Sequence, residues 1–304
     1  MSSSVSPSAT VPLPPDEAAL VRRRLTALGV DGLIDVHTHF MPDSVLRKVW
    51  GYFDAVGPMT GRPWPIAYRL SEAERVQRLQ DFGVSHFTAL NYPHKPEMAA
   101  WLNAWGREFA AATPGCLTSA TFYPEASAAT YVPEAIAAGA HVFKAHVQVG
   151  DYDPNDPLLN PVWGTLAEAR TPVVIHCGHG PAPGTHTGPA AMRTLLARFP
   201  DLVLIVAHMG LPDYGDFLDL AARYPGVHLD TTMAFTAFTE ALTPFPPDLR
   251  PMLVDLGDRI LFGSDFPNIP YSYLSALDAV VDLGLGDDWT RGVVEGNARR
   301  LFHL

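Results

Sequence analysis

Leu202-Val203-Leu204-Ile205-Val206-Ala207-His208-Met209-Gly210 decides the fold of this chain. Its apolar run shows no polar alternation, so a strand built from it is buried on both faces. That is the pattern of a parallel sheet covered by helices. The histidine and glycine that follow place a polar side chain and a turn signal where the strand ends. The same phrase recurs along the chain, in Phe143-Lys144-Ala145-His146, Val174-Ile175-His176-Cys177-Gly178 and Phe262-Gly263-Ser264-Asp265-Phe266-Pro267. Reading outward, strands are expected over 32–40, 84–91, 117–124, 141–148, 171–178, 202–210, 227–232 and 260–267. Helical spacing fills 71–82, 95–112, 128–138, 158–170, 188–199 and 213–224 between them.

Eight strands alternating with helices in a single domain fit a (β/α)8 TIM barrel, an α/β fold that takes about 250 residues. A doubly wound open sheet is the alternative. It is disfavoured because no glycine-rich phosphate loop follows the first strand, which ends in histidines. The Ser/Pro-rich start predicts a disordered tail over 1–18, with the barrel domain occupying 19–304. Residues 41–70 are too long for an ordinary βα loop and are expected to lie over the barrel mouth as a lid. They carry Trp50, Tyr52, Phe53 and Trp64 with Arg47, Lys48, Arg62 and Arg69, basic residues able to receive a carboxylate.

Composition narrows the function. A formal charge of −11 argues against nucleic-acid and anionic-membrane partners, which need a basic surface. No apolar stretch approaches the roughly 20 residues that span a bilayer. The N-terminus lacks the basic and apolar regions of a secretory signal, so a cytoplasmic location is expected. Cys116 and Cys177 cannot make a disulfide framework and read as buried thiols. A small-molecule substrate and possible homodimerisation complete the expected partners.

The chemistry lies at the strand ends. In Gly32-Leu33-Ile34-Asp35-Val36-His37-Thr38-His39, residues two apart share a face, so His37 and His39 converge. Two neutral imidazoles so placed form half of a divalent-metal site, and zinc is commonly held this way. Lys144 with His146, then His176, His208 and Asp265 recur at the same level, where barrel active sites gather. Polar residues repeated at so many strand ends are hard to explain as core packing, because buried charge is costly unless paired or metal-bound.

This set resembles the amidohydrolase superfamily. Ile34-Asp35-Val36-His37-Thr38-His39, Lys144-Ala145-His146, Val206-Ala207-His208-Met209-Gly210, Gly263-Ser264-Asp265-Phe266-Pro267 and Gly296-Asn297-Ala298-Arg299-Arg300-Leu301-Phe302 are similar to the amidohydrolase-related branch. That branch includes aminocarboxymuconate-semialdehyde decarboxylase and mixes hydrolases with non-oxidative decarboxylases. The resemblance implies a metal-dependent barrel in which His37, His39, His176 and Asp265 hold one cation, expected as zinc with manganese a possible substitute. It makes His208 a polarising or proton-handling group and Asp265 also the acid–base catalyst. Relatives with two metals bridge them by a carboxylated lysine on the fourth strand, but Lys144 is preferred as an unmodified lysine near the substrate. His146 reads as a substrate or outer-shell contact, and His179, in the loop after the fifth strand, as a pocket candidate beside His186 and His94. Phe235 and Phe238 read first as core.

Such a cation lowers the pKa of water from 15.7 to about 7. The favoured function is therefore a hydrolase of an amide, ester or lactone. The runner-up is a decarboxylase of an aromatic or unsaturated acid, and a non-catalytic metal-binding protein comes third.

Overall fold

The computed structural model describes residues 11–55 and 63–304. The first ten residues of the expected tail and Arg62 lie outside them. The strands are β1 (Leu33–Asp35), β2 (Val84–Thr88), β3 (Cys116–Leu117), β4 (Ser119–Thr121), β5 (Val142–His146), β6 (Val173–His176), β7 (Leu204–Val206), β8 (Val227–Asp230) and β9 (Ile260–Leu261). Every pair is parallel, in the orders β1-β2-β3 and β4-β5-β6-β7-β8-β9. β3 and β4 are two halves of one stave, interrupted at Thr118, which pairs with β2 through its first half and β5 through its second. The barrel closes where Val36 N donates to Phe262 O (3.0 Å), Asp265 N to His37 O (2.8 Å) and His39 N to Phe266 O (2.7 Å). The chain is thus the expected (β/α)8 barrel.

Alternation along the staves builds two cores. Phe143, Ala145, Val173, Ile175, Leu204 and Val206 pack outward with the helices, and Cys177 joins them. Val142, Val174, Ile205 and Leu261 meet in a separate cluster with Ile34, Leu117 and two residues of the C-terminal helix, Ala298 and Phe302. Asn297 fixes that helix by donating to Gly257 O and Ile260 O, both at 2.7 Å. Two residues further along the inward rows of β5 and β6 stand Lys144 and His176. The apolar layer below is what holds these polar groups up towards the loops.

The expected helices are all present, for example Glu72–Phe82, opened by a capping box between Ser71 and Glu74 and closed by a left-handed Gly83. The strands are shorter than expected. Where 202–210 reads as one run, the strand ends at Val206 and the chain turns through His208 (φ +56°) and Met209 (φ +52°). The strand-end residues turn away to form the site. The helix Glu17–Leu28 begins inside the expected 1–18 tail, and its buried Glu17 accepts from Tyr68 OH (2.7 Å) and Leu274 N (3.1 Å). Within 41–70, Asp43–Ala55 is helical. Among the described residues no helix is long and apolar enough to cross a membrane.

Trp163 sits fully buried between the staves and their helices, its indole donating to Pro154 O at 2.8 Å and its ring edge-on to Phe122. Trp163→Ala should cost about 3–5 kcal/mol by leaving a large cavity. Urea titration checks this as a lower midpoint at unchanged slope.

Candidate metal centre and active site

β1 and the turn after β9 bring the first three candidates together. Ligand atoms of His37, His39 and Asp265 lie within 4.8 Å of one another, all three residues buried, a group able to hold a metal ion. Asp265 reaches this position in a left-handed backbone conformation, φ +71°. Such strain persists where surrounding structure imposes it, often at functional sites. Gly263 permits the approach of β9, since a Cβ there would stand 2.2 Å from Thr232 Oγ1 and 2.8 Å from His37 Cβ. Asp35, deeper in β1, does not face the group. It accepts hydrogen bonds from Ser264 Oγ (2.6 Å), Tyr273 OH (2.8 Å) and the backbone of His37 and Ser264 (both 3.1 Å), tying the two strand ends together. Burial pushes its carboxyl up to about 7, against those donors.

Each imidazole has one nitrogen engaged by an oxygen. His37 Nδ1 faces Asp230 Oδ2 (2.8 Å), His39 Nδ1 faces Leu90 O (3.0 Å) and His176 Nε2 faces Gly180 O (2.9 Å). If each engaged nitrogen carries the proton, the lone pairs fall on His37 Nε2, His39 Nε2 and His176 Nδ1, as in histidine metal ligands. His39 Nε2 also lies 2.9 Å from Asp265 Oδ1. A neutral ring donates only once, so this nitrogen needs either a second proton or a cation shared with the carboxylate. The donor set therefore fits a divalent cation. His176 stands beside the tight group, its ring 4.8 Å from His208 and stacked at 4.1 Å on His146.

Asp230, at the end of β8, was not legible as a site residue. Besides facing His37, its carboxylate accepts from His208 N (2.9 Å) and Thr232 N (3.1 Å). One buried side chain thus orients a candidate ligand and holds the left-handed turn carrying His208. His208 Nδ1 faces Thr232 O at 3.2 Å, and its Nε2 has no hydrogen-bond partner among the described residues. Burial lowers His208 to about 4, aided by nearby His37, and lowers His176 to about 3, so both rings are neutral. Burial alone would raise Asp265, but the hydrogen bond from His39 and the neighbouring His37 and His208 hold it below the usual carboxylate range.

Lys144 is fully buried and places Nζ 3.1 Å from His37 Nε2. Burial brings its ammonium down to about 8, against Asp230 and Asp265. His146 caps the turn that follows β5, accepting from Val149 N at 3.3 Å. These residues line one cavity of about 960 Å³, walled by Phe53, Trp64, Met233 and Phe238. His94 and His179 reach it and His186 is not among its lining residues; Phe235 packs in the core against Phe245.

The insertion contributes Lys48, Tyr52, Phe53 and Trp64 to the cavity, and Trp50 and Trp64 both donate to Asn268 on its wall (3.0 and 2.8 Å). Of the basic residues expected to receive a carboxylate, Arg69 is taken by Asp54 and lies over the Trp50 ring. Lys48 alone of them lines the cavity among the described residues.

A parallel barrel with an imidazole–carboxylate group at the C-terminal ends of its staves defines an amidohydrolase-type protein. The family model described as Amidohydrolase matches residues 34–304, and the chain belongs to that family. No curated protein matches the sequence. Among solved structures, an uncharacterised TIM-barrel protein from Bordetella bronchiseptica superposes with a TM-score of 0.73 at 20% identity, covering 90% of this chain and 98% of that one. A dihydroxybenzoic acid decarboxylase from Polaromonas sp. JS666, with bound manganese and the inhibitor 2-nitroresorcinol, gives 0.63 at 19% identity, covering 90% and 98%. A protein from Pseudomonas putida assigned as a 2-pyrone-4,6-dicarboxylic acid hydrolase gives 0.59 at 17% identity, again covering 90% and 98%. This fold is thus shared with a decarboxylase and with a protein assigned as a hydrolase.

Proposed function

We propose that the protein is a metal-dependent hydrolase of an ester, lactone or amide of a small, largely apolar molecule. One observation carries this reading: the donors of His37, His39 and Asp265 meet in an apolar-walled cavity into which His208 brings an unpartnered nitrogen. His37, His39, Asp265 and His176 would hold one zinc ion, with manganese able to replace it. The cation supplies Lewis acidity and lowers the pKa of the water it binds. Asp265 accepts a proton from the attacking water. His208, fixed by the Thr232 carbonyl, polarises the attacked carbonyl or takes a proton at Nε2. Lys144 remains an unmodified amine beside the substrate, and His146, stacked on His176 in the cavity wall, contacts the substrate or backs the site. The aromatic wall excludes water from the remainder of the substrate, and the insertion acts as a lid through Trp50 and Trp64. The free thiols of Cys116 and Cys177 suit a reducing compartment, the cytoplasm.

Non-oxidative decarboxylation of an aromatic acid is the second reading. It is favoured by the flat aromatic side chains on the wall and by the aromatic inhibitor in the Polaromonas relative. A panel of esters, lactones, amides and aromatic acids separates the two. Acid plus alcohol or amine is the expected product pair, whereas carbon dioxide released without hydrolysis products would establish the second reading.

Asp230 provides an independent check on the metal. Asp230→Asn replaces the acceptor facing His37 Nδ1 by an amide, favouring the tautomer that protonates Nε2. Metal affinity should fall about 10–100-fold, the usual effect of losing such an outer partner. Competition with a chromophoric chelator measures this, and unchanged affinity would remove Asp230 from the account.

A further inference from the structure

We infer that His179 and Asp213 form a second proton-handling pair, with His179 serving the leaving group; this role rests on the hydrolase reading above. His179 follows His176 in the loop after β6 and lines the same cavity. Asp213 follows His208 in the loop after β7. His179 Nδ1 lies 2.7 Å from Asp213 Oδ2, which also accepts from the His179 backbone N–H at 3.4 Å. The two loops are joined through Gly180 N donating to Leu211 O at 2.9 Å, so the pair spans a fixed gap.

Two features show that this contact displaces more ordinary arrangements. Asp213 occupies the N-cap of the helix Tyr214–Arg223, yet its side chain makes no capping hydrogen bond. Aspartate at an N-cap normally accepts from the first-turn N–H groups, worth about 1 kcal/mol. Here the carboxylate turns to His179 instead. Gly188 makes room for the ring: at φ +105°, a Cβ there would lie 2.4 Å from both Cε1 and Nε2 of His179.

A carboxylate on Nδ1 fixes the tautomer, leaves the lone pair on Nε2 and stabilises the imidazolium when it forms. Nε2 has no hydrogen-bond partner among the described residues, and the side chain is 38% exposed. In one turnover the water oxygen bonds to the acyl carbon and that carbon's bond to the leaving heteroatom breaks. His179 first takes a proton from solvent at Nε2. Asp265 takes one proton of the attacking water, the leaving heteroatom takes the Nε2 proton of His179, and Asp265 then releases its proton to solvent. The products are an acid and an alcohol or amine, and both side chains return to their starting states.

An ester from the panel, prepared with ethyl and with 4-nitrophenyl leaving groups, tests the role. His179→Gln should lower kcat on the ethyl ester by about 10²–10⁴-fold. On the nitrophenyl ester, whose leaving group departs without protonation, the loss should be much smaller, and Asp213→Asn should show the same contrast. Equal loss on both esters, or loss of melting temperature with no contrast, overturns the leaving-group role. A wild-type enzyme that hydrolyses no ester, lactone or amide of the panel overturns the hydrolase reading and this role with it. Imidazole ¹⁵N NMR tests the pair without any substrate. The His179 signal, identified by its absence in His179→Gln, should show the Nδ1-protonated tautomer, weakened in Asp213→Asn. An Nε2-protonated ring in the wild type would contradict the pair.

Discussion

Replacing His37 or His39 by alanine should remove bound metal and turnover together, taking metal content from one equivalent per chain to near zero. Each residue offers a lone pair to the same group, and each ring is pre-oriented from behind, by Asp230 and by the Leu90 carbonyl. Both variants should also lose stability. His37→Ala strips the buried Asp230 carboxylate of its ring partner, a loss worth about 1–3 kcal/mol. His39→Ala strips Asp265 of the ring nitrogen 2.9 Å away and leaves the Leu90 carbonyl short of a donor. Asp265→Asn should retain part of the metal while activity collapses, because an amide cannot accept the proton of water. Metal content, melting temperature and turnover on the same preparations check all three. A variant at 37 or 39 that keeps its metal would exclude that histidine as a ligand.

His208→Asn should keep both metal and fold and lose about 10²–10⁴-fold in turnover, the range for a positioned acid–base group. Asparagine is the appropriate replacement because position 208 has φ +56°, a left-handed conformation that asparagine tolerates better than alanine. The hydrogen bond that secures the turn runs from the backbone N–H of residue 208 to Asp230 and survives the change. If His208 were only a packed core imidazole, the variant would melt lower and its folded fraction would turn over at nearly the wild-type rate.

Much of this site was legible in the sequence because barrel staves run in short apolar phrases that end where function begins. The spacing of His37 and His39 foretold their convergence, and the phrases Phe143-Lys144-Ala145-His146 and Val174-Ile175-His176 foretold polar side chains where the strands end. What pairwise spacing could not show was contact between staves. Asp230 looks like an ordinary strand end until the register of β7 against β8 places it behind both His37 and His208. The strands read too long for a related reason. Ala207-His208-Met209 continues an apolar run, yet the backbone leaves the sheet there, and only Gly210 signals the turn. The basic residues of the insertion divide, because charge in a sequence carries no partner: Lys48 lines the cavity, whereas Arg69 is taken by Asp54.

Metal stoichiometry against activity decides whether a single bound cation drives turnover. The purified chain is analysed for metals and assayed, dialysed against a chelator, then assayed again as zinc or manganese is added back. About one equivalent per chain is expected, with activity lost on dialysis and recovery that saturates at one equivalent. Full turnover without metal would contradict a single catalytic cation, as would saturation at two equivalents with a carboxylated Lys144.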